Sequence, residues 1–410
     1  MKLRSDLLDE NSPERLEVIQ LTTEDVPSSH IYMEAQIFTP DSNRLVVHRS
    51  AHAHGSDKND PEHRYLVCDI ESDCELFPIT EEVGATAPSV SPDGQFLYYF
   101  VNETEPNSGT LTLKRVRLDG TERETLLVID SNLPDTNYRP NRIYPLSTIS
   151  SDGNRLALSC FLSDGSEGGG TFGLMVFDIV EVTVRVILEG PSWCNVHPQY
   201  CRSTESDASR DILIQENHGN IANASGSVEK LVGGVGADIH VIRDDGTDFR
   251  NMPWGRDGNE HCQGHQCWRG RSNWGITSTG TRQPQERQLI EGAVTNHDGH
   301  TGIQTAGAIR NDLSRYFESP QFSHFATDIE GRGFITDAGP FDEGARLFVA
   351  EFGEPGQDAL KNWQYLLGPR SSCDKQAHIH PFLSPDGKSG FFNSDESGVL
   401  QAYMVRGFQK

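Results

Sequence analysis

The sequence predicts an all-β fold, a seven-bladed β-propeller, from three observations. A turn-and-strand unit recurs along the chain, a second alternating strand follows each unit, and helical periodicity is nearly absent. Self-similarity at a period of some tens of residues marks a repeat architecture. Short-stranded units that cannot bury both faces alone close into a ring, which leaves few free edges.

The clearest copies are FTPDSNRLVVH from Phe38, SVSPDGQFLYYF from Ser89, TISSDGNRLALSC from Thr148 and FLSPDGKSGFFNS from Phe382. Weaker copies are FATDIEGRGFITD from Phe325 and CWRGRSNWGITST from Cys267, and HPQYCRSTESDASRDILIQ from His197 fits with an inserted loop. The copies lie roughly 45–70 residues apart, slightly above the usual blade period. In each, an apolar strand enters a turn. Proline presets φ, aspartate bonds its own backbone and glycine accepts positive φ. A strand of alternating character then leaves. RYLVCDIES, LTLKRVRLDGTE, LMVFDIVEV, ADIHVIRDDGTDF, ARLFVAEFG and LQAYMVRG read as third strands. The leftover N-terminal RLEVIQLT is expected to close the ring against the C-terminal blade, so residues 1–410 read as one propeller domain.

The formal charge is -25, from 35 Lys and Arg against 60 Asp and Glu. Such a surface repels phosphate backbones, so nucleic acid is excluded as an expected partner. An acidic ligand needs a local cluster of arginine, histidine or metal. No stretch is long and apolar enough to span a membrane. MKLRSDLLDENSPE lacks an apolar leader core, so a chain starting at Met1 is expected in the cytoplasm; one that has lost a leader is expected outside the cell. The eight cysteines form no C-x-x-C knuckle and are expected as free, partly buried thiols. Cys194 with Cys201, and Cys262 with Cys267, are the close pairs an oxidising compartment could bridge. Oligomeric state is open.

Polar insertions rich in histidine and arginine interrupt the repeat at 48–64, 132–145, 189–201, 216–220, 253–271 and 375–381. In a propeller such connections gather on one face around the axis. His197 precedes Pro198, His380 precedes Pro381, and His324 precedes Phe325 in SHFATD. His52 and His54 lie in AHAHG, and His265 in GHQCW. Residues that open the inner strands of different blades converge near the axis. His378 and His380, two apart on an extended chain, point the same way and could bind one divalent ion with a ligand from another blade.

HIHPFLSPDGKSGFFNSDESG, GHQCW and SHFATD resemble the oligogalacturonate lyase family of seven-bladed polysaccharide lyases. The resemblance spans nearly the whole chain and is strongest in the last third. It implies β-elimination on an acidic oligosaccharide and a manganese ion held by histidines and a glutamine, with calcium as the other metal considered. On it, His324, His378 and His380 match the metal histidines and His265 the catalytic base. Two positions differ. The glutamine's place, three before the histidine pair, holds Lys375, with Gln376 next to it as the available amide. The family's catalytic arginine falls near Asp238 or His240, with Arg243 displaced. These differences direct the expectation toward a related uronate lyase, such as one that removes rhamnose from glucuronic acid.

The residues also suit β-elimination on chemical grounds. The C5 proton of a uronate becomes acidic when its carboxylate is neutralised by a metal or an arginine clamp. A neutral histidine can then remove it. His265 is the expected base. Arg256, Arg269 and Arg271 are expected to bind carboxylate, and Tyr144 or His197 to protonate the leaving oxygen. His52, His54, Arg64, Arg139, Arg142 and His218 are expected to line the substrate site. Trp193, Trp254 and Trp268 offer faces for sugar stacking, although a buried tryptophan can equally be core.

Three rival functions are open at this level. A non-catalytic propeller of the periplasmic scaffold type shares the turn chemistry. A propeller that gates a peptidase lacks support, because no G-x-S-x-G elbow or H-E-x-x-H is present. A glycoside hydrolase would use two carboxylates, and Glu216 and Asp238 are conceivable.

Overall fold

The computed structural model describes residues 1–32, 35–52, 54–104, 109–233, 236–254, 260–281, 287–293, 309–318, 320–339, 344–374 and 376–408. Six four-stranded antiparallel sheets and one five-stranded sheet form the seven blades of a ring. Two 3₁₀ turns, Ser5–Leu7 and Ala208–Arg210, are the helical elements among the described residues. Successive blades begin on the inner strands Ser28–His30, Ala85–Val90, Arg139–Ile149, Gln199–Tyr200, Glu260–Trp268, Phe322–Thr327 and Phe382–Leu383.

The turn chemistry closes each inner hairpin as the residues dictate. Ser91 donates to Asp93, which accepts from the Gln95 N–H. Thr39 with Asp41, Ser150 with Asp152 and Ser384 with Asp386 repeat the bond. Gly94, Gly153 and Gly387 sit at φ 70°, 74° and 74°, where a side chain would be strained. Every inner strand runs toward its turn. All seven turns therefore lie at one mouth of the channel, and all seven strand beginnings at the other.

The core lies between neighbouring blades. Between the last blade and the first, Phe38 packs edge-on against Phe382 and Phe391, with centroids 5.5 and 5.1 Å away. The N-terminal strand Glu17–Gln20 pairs antiparallel with Gln401–Arg406, and Lys2–Leu3 adds outside it. The last blade is thus built from both ends of the chain. Arg4 locks the join. Its buried guanidinium donates to Asp6 at 2.9 and 2.8 Å, to Gln20 at 3.0 Å and to Glu396 at 2.8 Å. All eight cysteines are free thiols. No helix among the described residues is long and apolar enough to cross a membrane.

Candidate active site

Histidines from four blades and one surface hairpin meet at the mouth where the inner strands begin. His265 lies 4.5 Å from His324, ring centroid to centroid, and His324 lies 4.4 Å from His380 and 5.4 Å from His378. His54 lies 4.9 Å from His378 and 5.3 Å from His380. Tyr32 bridges His380, at 4.5 Å, to His197, at 5.4 Å, and Tyr144 donates to His197 Nε2 or accepts from it at 3.0 Å.

Local backbone geometry aims these rings. His197 and His380 both hold positive φ, 47° and 45°, immediately before a proline. A non-glycine residue rarely adopts that conformation, and the strain turns each ring inward as its strand begins. His54 arrives differently. A two-stranded hairpin, Ala51–His52 with Gly55–Ser56, leaves the first blade and lies against the third. Gly55 makes this possible: at φ 154° it approaches Pro145 so closely that a Cβ would stand 3.2 Å from the proline Cβ.

Asp337 organises the centre. Its Oδ1 accepts the His324 backbone N–H at 2.7 Å and its Oδ2 faces His324 Nδ1 at 2.8 Å. The ring's Nδ1 therefore carries a proton and Nε2 presents a lone pair. Burial pushes Asp337 up to about 7, against the His324 N–H that favours its charged form. His265 Nδ1 donates to the Ser323 carbonyl at 2.7 Å, so its Nε2 is the basic nitrogen. Burial, then the neighbouring His324 and His197, holds His265 well below the ordinary imidazole range. Burial acts likewise on His54, which falls to about 3, and on His378 and His380. The cluster is neutral and rich in lone pairs.

These residues fit a divalent metal. His54, His378 and His380 can each place a nitrogen within 4.8 Å of the others. His324 Nε2, His378 Nδ1 and both nitrogens of His380 are buried without a hydrogen-bond partner. Buried polar atoms are ordinarily satisfied, so converging orphaned imidazole nitrogens form a donor set of the kind that could hold a divalent ion. His54, which the sequence placed among substrate-binding residues, stands in the group that could hold a metal. Gln376 is solvent-exposed.

Other expectations fall elsewhere. Arg256 lies outside the described residues. Arg269 is no carboxylate clamp. It is buried at the opposite end of its strand, pairs with Glu291 at 3.0 Å, donates to the Gly331 and Gly353 carbonyls, and stacks on Phe352. Trp268 and Arg271 also stand at the turn mouth, where Trp268 Nε1 donates to the Gln199 carbonyl and Arg271 pairs with Glu330. Trp193 and Trp254 are buried core. Arg64 donates to the carbonyls of Pro61 and His63 in its own loop, and exposed Arg142 to the Ser225 carbonyl. His52 is half-buried in the hairpin and Arg139 half-buried where the third blade begins.

His218 lies at the same mouth as the histidine cluster, bonded to Asp238 at 2.9 Å. On the neighbouring strand Glu216 accepts from Ser192 at 2.6 Å and faces His240 at 3.2 Å. Burial alone would raise Glu216, but His240 and Ser192 bring it down to about 2. A carboxyl so firmly ionised makes a poor general acid.

Sequence reasoning missed two residues. Asp337 looked like an ordinary polar position of a second strand; the signal was an acid inside the buried run GFITDA. Arg287 is half-buried and makes no ion pair among the described residues. Its charge depresses both His265 and His324, and Asp337 acts on it in turn, so it stands beside the cluster.

No family model and no curated protein matches the chain. Solved structures do. An oligogalacturonate lyase in complex with manganese is 18% identical, with a TM-score of 0.67 over 95% of this chain and 93% of that one. The oligogalacturonate lyase of Vibrio parahaemolyticus is 18% identical, with a TM-score of 0.68 over 97% and 95%. A prolyl endopeptidase is 11% identical, with a TM-score of 0.55 over 95% of this chain but 51% of that one. At such identities the likeness establishes the propeller fold that this chain shares with them.

Proposed function

We propose that this protein is a metal-dependent lyase that cleaves a uronate-containing oligosaccharide by β-elimination. The observation that carries the proposal is the convergence of orphaned imidazole nitrogens from His324, His378 and His380, with His54, beside a neutral His265. The likeness to a manganese-bound oligogalacturonate lyase supports it.

In this reading His54, His324, His378 and His380 hold a divalent ion, manganese by preference. When bound, the ion supplies positive charge against the uronate carboxylate. Arg287, beside His265 and without an ion pair among the described residues, supplies a second positive charge for the carboxylate that Arg269 and Arg271 cannot reach. His265 Nε2 takes the C5 proton. The electron pair of that bond becomes the C4–C5 double bond, and the C4–O bond breaks. Tyr144, held against His197, gives its proton to the leaving oxygen. His218 lies on the face that would receive the rest of the sugar chain. The departures at Gln376 and at the expected arginine favour a uronate other than oligogalacturonate, such as rhamnosyl-glucuronate.

Purified protein with manganese is expected to generate the ultraviolet absorbance of a 4,5-unsaturated uronate from pectic or gum-derived oligosaccharides, and a chelator to suppress it. His265→Ala should abolish product while manganese binding persists. New reducing ends without unsaturation would establish hydrolysis instead. A complete lack of cleavage across the panel, with no manganese bound, would favour the scaffold reading.

A further inference from the structure

The turn mouth of the channel, opposite the histidines, holds a cavity of about 280 Å³ to which all seven blades contribute. Its wall is largely apolar: Phe38, Ile149, Trp268, Phe382 and Leu383 face it. Arg202 also lines it. In a chain of net charge -25, an arginine would be expected to find a carboxylate. Arg202 has no ion pair and no side-chain hydrogen bond among the described residues, although water reaches it. Burial among apolar neighbours lowers its affinity for its proton, as expected for a cation without a counter-charge.

Most other polar groups of this wall are already committed, exposed Thr204 being the exception. Ser91 and Ser150 donate to the aspartates of their own turns, and Ser151 to the Ser203 carbonyl. Gln199 donates to the Gln266 carbonyl, and Arg271 pairs with Glu330. Five N–H donors in a planar fork are left over at one point of an apolar funnel. A sugar would bring hydroxyls that find few partners here. An acid on a compact apolar body would satisfy the fork and cover the aromatic wall.

We propose that Arg202 anchors a second ligand site at the turn mouth, which takes a small carboxylate with an apolar body. The site is separate from the histidine cluster and independent of the lyase reading. The carboxylate accepts two parallel N–H bonds from Arg202, and its apolar part lies against Trp268 and Phe382.

Isothermal titration of the full-length protein with benzoate and hexanoate tests this, with glucuronate and inorganic phosphate as the other arms. Benzoate or hexanoate is expected to bind saturably, at least about tenfold tighter than glucuronate or phosphate. Arg202→Gln should weaken that binding at least about tenfold at an unchanged melting temperature. Arg202→Lys, which keeps the charge but loses the fork, guards against a folding defect and should fall between. Arg406→Gln, outside the cavity lining, should bind as the parent does. No saturable binding of any arm up to about 10 mM, equal or tighter binding of glucuronate or phosphate, or benzoate binding that survives both Arg202 substitutions would overturn the proposal.

Discussion

Asp337 grips His324 twice, through the backbone N–H at 2.7 Å and through ring Nδ1 at 2.8 Å. The carboxylate fixes both the position of the strand and the tautomer of the ring, and so directs the Nε2 lone pair into the cluster. Asp337→Asn preserves size but offers an N–H toward Nδ1 and weakens this control. Manganese affinity measured by titration is expected to fall by about 10- to 100-fold, with little change in the melting temperature. Unchanged affinity would mean that His324 is not a ligand.

His54 and Gln376 make opposite predictions about the completion of the metal site. His54 has a nitrogen within 4.8 Å of those of His378 and His380, whereas Gln376 is exposed. His54→Ala should lower manganese affinity by at least about tenfold, the loss typical when a metal's environment is disturbed. Gln376→Ala should bind manganese as the parent does. The reverse pattern would restore the glutamine that the sequence comparison favoured.

Tyr144 stands 3.0 Å from His197 Nε2, and His197 acts on His265. If this pair delivers the leaving-group proton, Tyr144→Phe should lower kcat by about a hundredfold and leave KM near the parent value, within the range ascribed to general acids. Substrates with an acidic phenol as leaving group need no such proton. On them the variant should regain most of its rate, and equal loss on both substrates would assign Tyr144 a packing role.

Much of this was legible in the sequence because the physics was local. Ser-Pro-Asp-Gly turns state their own geometry, so all seven inner hairpins could be located before the ring was seen. His324, His378 and His380 converge because each stands where an inner strand begins, and position within a repeat survives folding. Trp268 and Arg269 misled for the same reason in reverse. They lie three and four residues beyond His265 on one strand, and about 3.3 Å of rise per residue carries them toward the other mouth. His54 depends on an inserted hairpin that crosses toward another blade, which no repeat encodes. Arg287 and Asp337 become meaningful only through neighbours remote in sequence.

Ring closure rests on Arg4, whose buried guanidinium ties the N-terminal strand to Glu396 in the last blade. Arg4→Ala leaves the nearly buried Glu396 carboxylate with Tyr403 as its one remaining side-chain donor among the described residues. Urea unfolding should show a loss of about 3–5 kcal/mol, the cost of stranding one partner of a buried pair. Arg4→Lys should recover part of it. A loss below about 1 kcal/mol would place the closure in the backbone pairing of Glu17–Gln20 with Gln401–Arg406 instead.

The second blade carries its own acid-sensitive link. Burial alone would raise the pKa of Glu82, but Lys114 at 2.7 Å, nearby backbone N–H groups and Tyr99 at 3.0 Å bring it down to about 2 from an ordinary 4.5. A carboxylate depressed in the folded state stabilises the fold above its unfolded pKa and loses that contribution as pH falls through the folded one. Glu82 should therefore stabilise the protein fully above about pH 5 and progressively less from there to about pH 2. Glu82→Gln removes the charge at every pH. The variant is expected to be less stable by about 2 kcal/mol near pH 7, and the gap should narrow steadily in denaturant titrations toward pH 3. A gap that stays constant across that window would show that Glu82 acts through packing and hydrogen bonding rather than through its charge.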